Sequence, residues 1–289
     1  MEYDKTSKES ILQYALNLKG KTFGELDKFN RLKNKKNKGN LGHVIEESYF
    51  GYDINSDSNP DFSVAGIELK VTPFKINKNK TISAKERLVL NVIDYNEEYK
   101  HDFYDSSFWH KSKMLLLVFY EWKPEVKQED YIIKDVVLYE FNEDDLCVIK
   151  NDWQIIIDKI KQGKAHEISE SDTSYLAACT KGKNKNSVRL QPFSEIPAKQ
   201  RAFSLKSGYM TQLLREHFGK IDKNKVSLLN GTKKTIEQVL EERFKPYYGM
   251  DIDRIADLFE VNIYTETCKL KKNHAQILSS AILGLKGTD

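Results

Sequence analysis

The sequence predicts an α/β protein: a mixed central sheet flanked by helices, followed by a helical appendix. Three observations carry this. Helical periodicity fills much of the first 50 residues, apolar runs of strand length lie between residues 66 and 141, and helical periodicity returns afterwards. With 289 residues, 39% hydrophobic and 31% charged, the chain has enough apolar matter for a sizeable core in one large domain or two modest ones. No apolar run approaches the roughly 18 residues of a membrane span. The opening MEYDKTSKES also lacks the apolar stretch of a signal peptide. No membrane partner is expected, and the expected location is cytoplasmic. Cys147, Cys179 and Cys268 form neither an even disulfide set nor a CxxC pair, which fits a reducing compartment.

In order along the chain, Ser7 to Leu18 carries Ile11, Leu12, Ala15 and Leu16 at helical spacing, with Thr6 and Glu9 placed as a capping box. After a Lys/Asn-rich loop, Leu41 to Phe50 reads as a second helix, with Leu41, Val44, Ile45 and Tyr49 apolar and Glu46 on a flank. Asp53 to Pro60 is a turn signal. Gly66 to Val71, Leu88 to Ile93, Met114 to Tyr120 and Tyr131 to Phe141 read as strands, and the third is apolar throughout, as a strand covered on both faces would be. Trp153, Ile156, Ile157 and Ile160 mark a helix, and Gly208 to Phe218 another. Helices first, then strands, then helices argues against a repeating βαβ barrel. Beyond about residue 220, Ile236 to Phe244, Ile252 to Phe259 and His274 to Leu283 read as short helices with no strand between them. The expected division is 1–219 and 220–289, the second part a helical appendix or linker.

A net charge of +3 does not announce a nucleic-acid partner, but the positive charge is clustered. Arg31, Lys33, Lys35, Lys36 and Lys38 fall within eight positions. Lys181, Lys183, Lys185 and Arg189 form a second group beside Lys199, Arg201 and Lys206, and the stretch from Glu125 to Asp145 is acidic. On charge alone, these clusters fit nucleic-acid contacts and solvated loops equally well.

The segment Asn59 to Lys70 places Asp61 at a turn and Glu68-Leu69-Lys70 on the strand that follows. Alternate strand residues share a face, so Glu68 and Lys70 point the same way. Two carboxylates converging from a turn and a strand suit a hard cation such as Mg²⁺, and an adjacent ammonium can polarise a water attacking phosphorus. That is the arrangement of the PD-(D/E)xK nucleases. The tripeptide alone is weak, since Glu98 to Lys100, Glu121 to Lys123 and Glu125 to Lys127 repeat it and read as solvated surface. The Pro60-Asp61 turn, Gly66 at the strand entrance and apolar Ile67 and Leu69 set Glu68 apart, although a surface strand remains open.

A longer match narrows the choice. Lys38 to Glu46, then Asp61, then Gly66 to Lys70, then His110 to Lys113 resemble, in order and spacing, the catalytic motifs of the MutH family of GATC-specific endonucleases. Ser174-Tyr175-Leu176 with Lys181 resembles its C-terminal half. Ser83 to Asn91 and Gln200 to Thr211 look closer still to the catalytic N-terminal domain of the Sau-type restriction enzymes. The resemblance implies a restriction-endonuclease-like fold and a Mg²⁺-dependent type II enzyme of a restriction system, cutting double-stranded DNA at 5′-GATC-3′. Asp61 and Glu68 would hold Mg²⁺ with the Leu69 carbonyl, and Lys70 would position the nucleophilic water. Glu46 would add a carboxylate beside the metal, and Lys38 and Lys111 match family lysines near the scissile phosphate. The loop from Thr180 to Arg189, with Lys181, Asn184 and Arg189, and the segment holding Arg201 and Lys206 would supply base and phosphate contacts; lysine and arginine suit guanine, asparagine suits adenine.

One departure is Ser204, where mismatch-repair members carry a tyrosine implicated in sensing adenine methylation. A repair nickase of the MutH kind and a non-catalytic GATC-binding module are the alternatives. One Asp61/Glu68/Lys70 set faces the two scissile phosphates of a palindromic site, so the chain is expected to be monomeric when free and to pair on DNA. The resembled restriction enzymes continue into a second MutH-like domain, which would begin near Gly287-Thr288-Asp289, so the chain is expected to be a catalytic fragment.

Overall fold

A strand apolar on both faces needs a core on each side, and Leu115–Glu121 has both in the computed structural model, which describes residues 3–34, 39–54, 59–182, 184, 186–218 and 236–284. Leu115, Leu117 and Phe119 enter one core while Leu116, Val118 and Tyr120 enter the other, following the two-residue period of a strand. The chain forms two compact units, Met1–Phe218 and Gly219–Asp289.

The first unit begins with α1 (Lys8–Leu16), α2 (Phe23–Leu26) and α3 (Asn40–His43), the last continuing into a π-helical turn, Val44–Tyr49. Then come β1 (Glu68–Ile76), β2 (Ile82–Ala84), β3 (Leu88–Val92), α4 (Ser107–Ser112), β4 (Leu115–Glu121), β5 (Ile133–Tyr139) and α5 (Glu143–Lys161). The unit closes with β6 (Leu176–Thr180), β7 (Val188–Gln191), β8 (Ser194–Lys199), β9 (Arg201–Leu205) and α6 (Ser207–His217).

A mixed sheet is present, in the order β2-β1-β4-β5, with β1 and β4 parallel and the outer pairs antiparallel. Its membership differs from expectation. The strand beginning at Leu88 leaves this sheet and joins an antiparallel one ordered β3-β9-β6, while β7 and β8 form a hairpin of their own. One core lies between the two sheets, α5 and α6, built on Trp153, Ile156, Phe203, Leu205 and Met210. The other packs α1 to α3 against the opposite face of the mixed sheet through Ile11, Phe23, Val44, Ile45 and Leu69.

Two helix starts differ from the sequence expectation. The cap of α1 is Ser7, whose hydroxyl accepts from Ser10 N at 3.2 Å, because Thr6 is already engaged with Asp4 Oδ1 at 2.7 Å. The helix around Trp153 starts ten residues earlier than Trp153, at Glu143, where Asn142 caps Asp145 N at 2.8 Å. Glu143, Asp144 and Asp145 then complement the positive end of the helix dipole.

In the second unit, α7 (Ile236–Phe244), α8 (Ile252–Leu258) and α9 (His274–Ile282) follow the predicted periodicity closely. Ile255, Ala256, Ile263, Leu278 and Ile282 form a small core of its own. Cys147 and Cys268 are exposed and Cys179 buried, all as free thiols. Among the described residues, no helix is long and apolar enough to cross a membrane.

The start of β6 is fastened to α5 by one side chain. Buried Asp152 accepts from Ser174 N, Tyr175 N and Leu176 N at 2.8, 2.6 and 2.9 Å. Burial raises its carboxyl above the usual range, and the three amides oppose that rise. Asp152→Ala strands these donors, so chemical denaturation is expected to show a loss of about 3 kcal/mol or more, with Asp152→Asn intermediate. An unchanged midpoint would mean that the amides find other partners.

Candidate active site

Asp61 and Glu68 are brought together by a tight reversal. Phe62 N donates to Ile67 O at 2.9 Å and Gly66 N to Phe62 O at 2.8 Å, folding Ser63 to Gly66 into a turn. Gly66 has φ of +69°, a conformation that side chains disfavour. The reversal lays Asp61 beside the start of β1, where its Oδ2 accepts from Leu69 N at 2.8 Å.

Register supplies the next group. Glu68 pairs with Leu115 across the parallel β1 and β4, and α4 ends only three residues before Leu115. Lys111, on the last turn of α4, therefore reaches the same point, with Nζ 3.7 Å from Glu68 Oε1. Lys70 shares the Glu68 face of β1 and places Nζ 2.5 Å from the same oxygen. A hydrogen bond of 3.2 Å between His110 Nε2 and Asn59 Oδ1 ties α4 to the segment leading into Asp61.

Glu46 arrives from the π-helical turn, a local widening of the helix often found at functional sites. Burial pushes its carboxyl up to about 7, the charges of Asp61 and Glu68 add to the rise, and Lys70 and Lys111 oppose it. The five residues Asp61, Glu68, Lys70, Lys111 and Glu46 thus share one electrostatic environment.

Glu68 is only 2% exposed. Burial raises its carboxyl above the ordinary range, with Lys70 pulling against it and Asp61 reinforcing it. Its Oε2 is buried and has no hydrogen-bond partner among the described residues. A buried, unpaired carboxylate oxygen beside a second carboxylate is the donor set a hard cation takes. Among the described residues, no group of three or more His, Cys, Asp and Glu side chains is placed to hold a metal ion. A cation here would rest on the Asp61 and Glu68 carboxylates and water, which fits Mg²⁺, an ion that keeps several waters.

The basic residues toward the C-terminal end of this unit separate into two kinds. Lys181 and Asn184, with Thr180, Gly182, Ser187, Lys199 and Gln200, line a cavity of about 230 Å³, and Arg189 is exposed on β7. Arg201 and Lys206 are not presented this way, contrary to the sequence expectation. Arg201 is 8% exposed and its guanidinium donates to the carbonyls of Ala178, at 2.6 Å, and Ile168. Lys206 Nζ donates to the carbonyls of Glu170, at 2.5 Å, and Thr173, and burial lowers its pKa. Both side chains hold backbone in place. Ser204 is fully buried in β9. Lys38 lies outside the described residues, as do Lys35, Lys36, Lys183 and Lys185.

With this geometry in place, the family model described as DNA mismatch repair enzyme MutH matches residues 50–152, a stretch containing Asp61, Glu68, Lys70 and Lys111. The chain is 43% identical over 286 residues to a protein named Type II restriction enzyme Sau3AI, from Staphylococcus aureus, covering 97% of this chain and 57% of that protein. Over residues 50–152 the chain is similar to the MutH family. Members named DNA mismatch repair protein MutH are more distant: 26% identical over 222 residues in Escherichia coli, covering 73% of this chain and 93% of that protein, and 28% over 190 residues in Shewanella woodyi, covering 64% and 79%. The chain spans only a little over half the length of the restriction-enzyme relative. The fold is α/β with a mixed sheet, and the MutH match implies a restriction-endonuclease-like arrangement.

Gln200 and Asn59 were not foreseen from the sequence. Gln200 reaches the cavity because β7 and β8 fold back, its N–H donating to Ser187 O at 2.9 Å. Asn59 has a readable signal, a polar residue ahead of Pro60 at a turn.

Glu46 also ties stability to pH. Its carboxyl is held up to about 7 in the folded chain against 4.5 when unperturbed, so its contribution is fully present below pH 4.5 and is lost as pH rises through about 7. Glu46→Gln is neutral at every pH. In metal-free protein it is expected to add on the order of 3 kcal/mol at pH 8 and about 1 kcal/mol at pH 5, read by urea denaturation. An equal gain at both pH values, or a larger one at pH 5, would contradict the buried position of this carboxyl.

Proposed function

We propose that this chain is a Mg²⁺-dependent type II restriction endonuclease domain that hydrolyses phosphodiester bonds of double-stranded DNA at 5′-GATC-3′. One observation carries the reading: Asp61, Glu68, Lys70 and Lys111 converge at the entrance of two parallel strands, with a buried Glu68 oxygen left without a partner among the described residues. The restriction-enzyme name of the 43% identical relative supports the biological role, and the motif resemblance supports the GATC target.

In this reading, Asp61, Glu68 and the Leu69 carbonyl form the PD-(D/E)xK site. Bound Mg²⁺ would neutralise phosphate charge and ease deprotonation of a water. Lys70, pinned against Glu68, orients the attacking water through its remaining protons. Lys111 offsets charge developing on the phosphoryl oxygens, and Lys38 is assigned the same task. Glu46 sets the local charge that the cation and lysines must balance. Lys181, Asn184 and Arg189 read base edges, lysine and arginine on guanine and asparagine on adenine. The buried serine at position 204, where repair members carry a tyrosine, favours restriction over methyl-directed repair. Two copies meet on the palindromic site to cut both strands.

Plasmid cleavage tests the chemistry. Asp61→Ala and Glu68→Ala are each expected to reduce cleavage about a thousandfold or more while leaving duplex binding in Ca²⁺ within a few-fold of wild type. On a single-site supercoiled plasmid, dilute wild type is expected to accumulate nicked circles before linear product. Cleavage by either variant, or loss of binding together with folding, would remove these acids from the chemistry.

Readout is tested separately. Lys181→Ala is expected to reduce discrimination between GATC and single-base variants by about 1–3 kcal/mol in competition binding. Equal weakening on cognate and random duplexes would reduce Lys181 to a phosphate contact.

A further inference from the structure

The β7–β8 hairpin exposes apolar side chains where a water-facing ribbon would carry polar ones. Val188 is 50%, Leu190 73% and Phe193 68% exposed, and Ile196 is also exposed, all within nine residues. Isolated exposed apolar residues need no explanation, but a contiguous group marks a contact surface.

This hairpin is not loosely attached. Gln191 is buried, accepting from Ala165 N at 2.7 Å and donating to Ile196 O at 2.5 Å. Tyr95 OH donates to Lys199 O at 2.6 Å, and the Phe193 ring meets Tyr99 edge-on at 5.3 Å. Gly163, with φ of +69°, lets the hairpin tip approach so closely that a Cβ there would collide with the Phe193 carbonyl. The apolar residues are thus mounted on a fixed support.

The surroundings indicate what covers them. Val188 is the direct cross-strand partner of Lys199 and shares its face, Arg189 follows it, and Lys199 and Lys181 line the same cavity. The core of a protein–protein contact is depleted in lysine. Proteins that press into DNA grooves combine lysine and arginine with inserted Phe, Leu, Ile and Pro side chains, and this hairpin also carries Pro192 and Pro197.

We propose that the exposed face of the β7–β8 hairpin is an apolar wedge that enters duplex DNA and unstacks it, with Leu190 at its centre and Lys199 on the phosphates. The proposal rests on the DNA-cutting reading above and assigns it a bent target. Specificity would then draw on the deformability of the step under the wedge as well as on base contacts.

The test uses duplexes carrying 2-aminopurine at successive positions across GATC and its flanks, with Ca²⁺ in place of Mg²⁺. Wild type is expected to raise the fluorescence several-fold at one step, and Leu190→Ser and Val188→Ser/Leu190→Ser to abolish the rise. The variants are expected to bind intact duplex on the order of tenfold more weakly and to recover on a duplex with a mismatch at that step. Circular dichroism is expected to be unchanged, since these side chains are exposed. Binding by wild type with no fluorescence change anywhere would overturn the wedge and leave the DNA-cutting reading intact, whereas no duplex binding at all would overturn both. Variants that bend DNA as wild type does but lose self-association in sedimentation would assign the face to a second copy of the chain, against the proposal.

Discussion

A carboxylate cannot be buried without compensating charge, and the placement of Glu68 sets the terms for the structure around it. Lys70 comes from the same face of the same strand, and Lys111 from the helix that feeds the neighbouring strand. Asp61 is returned to the spot by the reversal at Gly66, and Glu46 by the widened turn after α3. Parallel pairing of β1 with β4 makes this possible. It sets the entrance of β1 beside the end of α4, where a third element can supply positive charge. Within the cluster one Glu68 oxygen has no hydrogen-bond partner among the described residues, and burial raises the Glu46 carboxyl toward neutrality.

The second cluster of basic residues is organised by different means. Arg201 places a guanidinium in the interior, but its donors meet the carbonyls of Ala178 and Ile168, and Lys206 similarly meets those of Glu170 and Thr173. These contacts, with Asp152 at the start of β6, fasten the ribbon that leads to Lys181, Asn184 and the hairpin. Positive charge thus serves two roles within one stretch of sequence: buried and spent on backbone at its base, exposed at its far end. The family match at residues 50–152 includes the acid and lysine cluster except Glu46, while the ribbon lies beyond it.

The sequence was legible where a single physical rule dominated. The two-sided apolar run at Leu115 and the periodic helices of the second unit follow from burial on one period, and the shared face of Glu68 and Lys70 from the two-residue period of a strand. It was less legible where neighbours decide. The strands β6 and β9 expose little pattern because Ala177, Ala178, Ala202 and Ser204 are small residues buried against one another. Leu88 to Val92 was recognisable as a strand, but nothing local reveals that its partner is β9, more than a hundred residues away. Arg201 and Lys206 read as surface because charge usually is surface, and only the carbonyls facing them make burial tolerable. The α1 cap moved from Thr6 to Ser7 for a similar reason, a competing acceptor at Asp4.

The most direct measurement of the central claim is a side-chain ¹³C NMR titration of the glutamate carboxyls, in the free protein and with Mg²⁺. The account predicts that Glu46 titrates near 7 and Glu68 above the ordinary carboxylate range without metal, and that Mg²⁺ moves both downward. Ordinary titration of both carboxyls in the free protein, unchanged by Mg²⁺, would contradict a buried acid cluster completed by a cation.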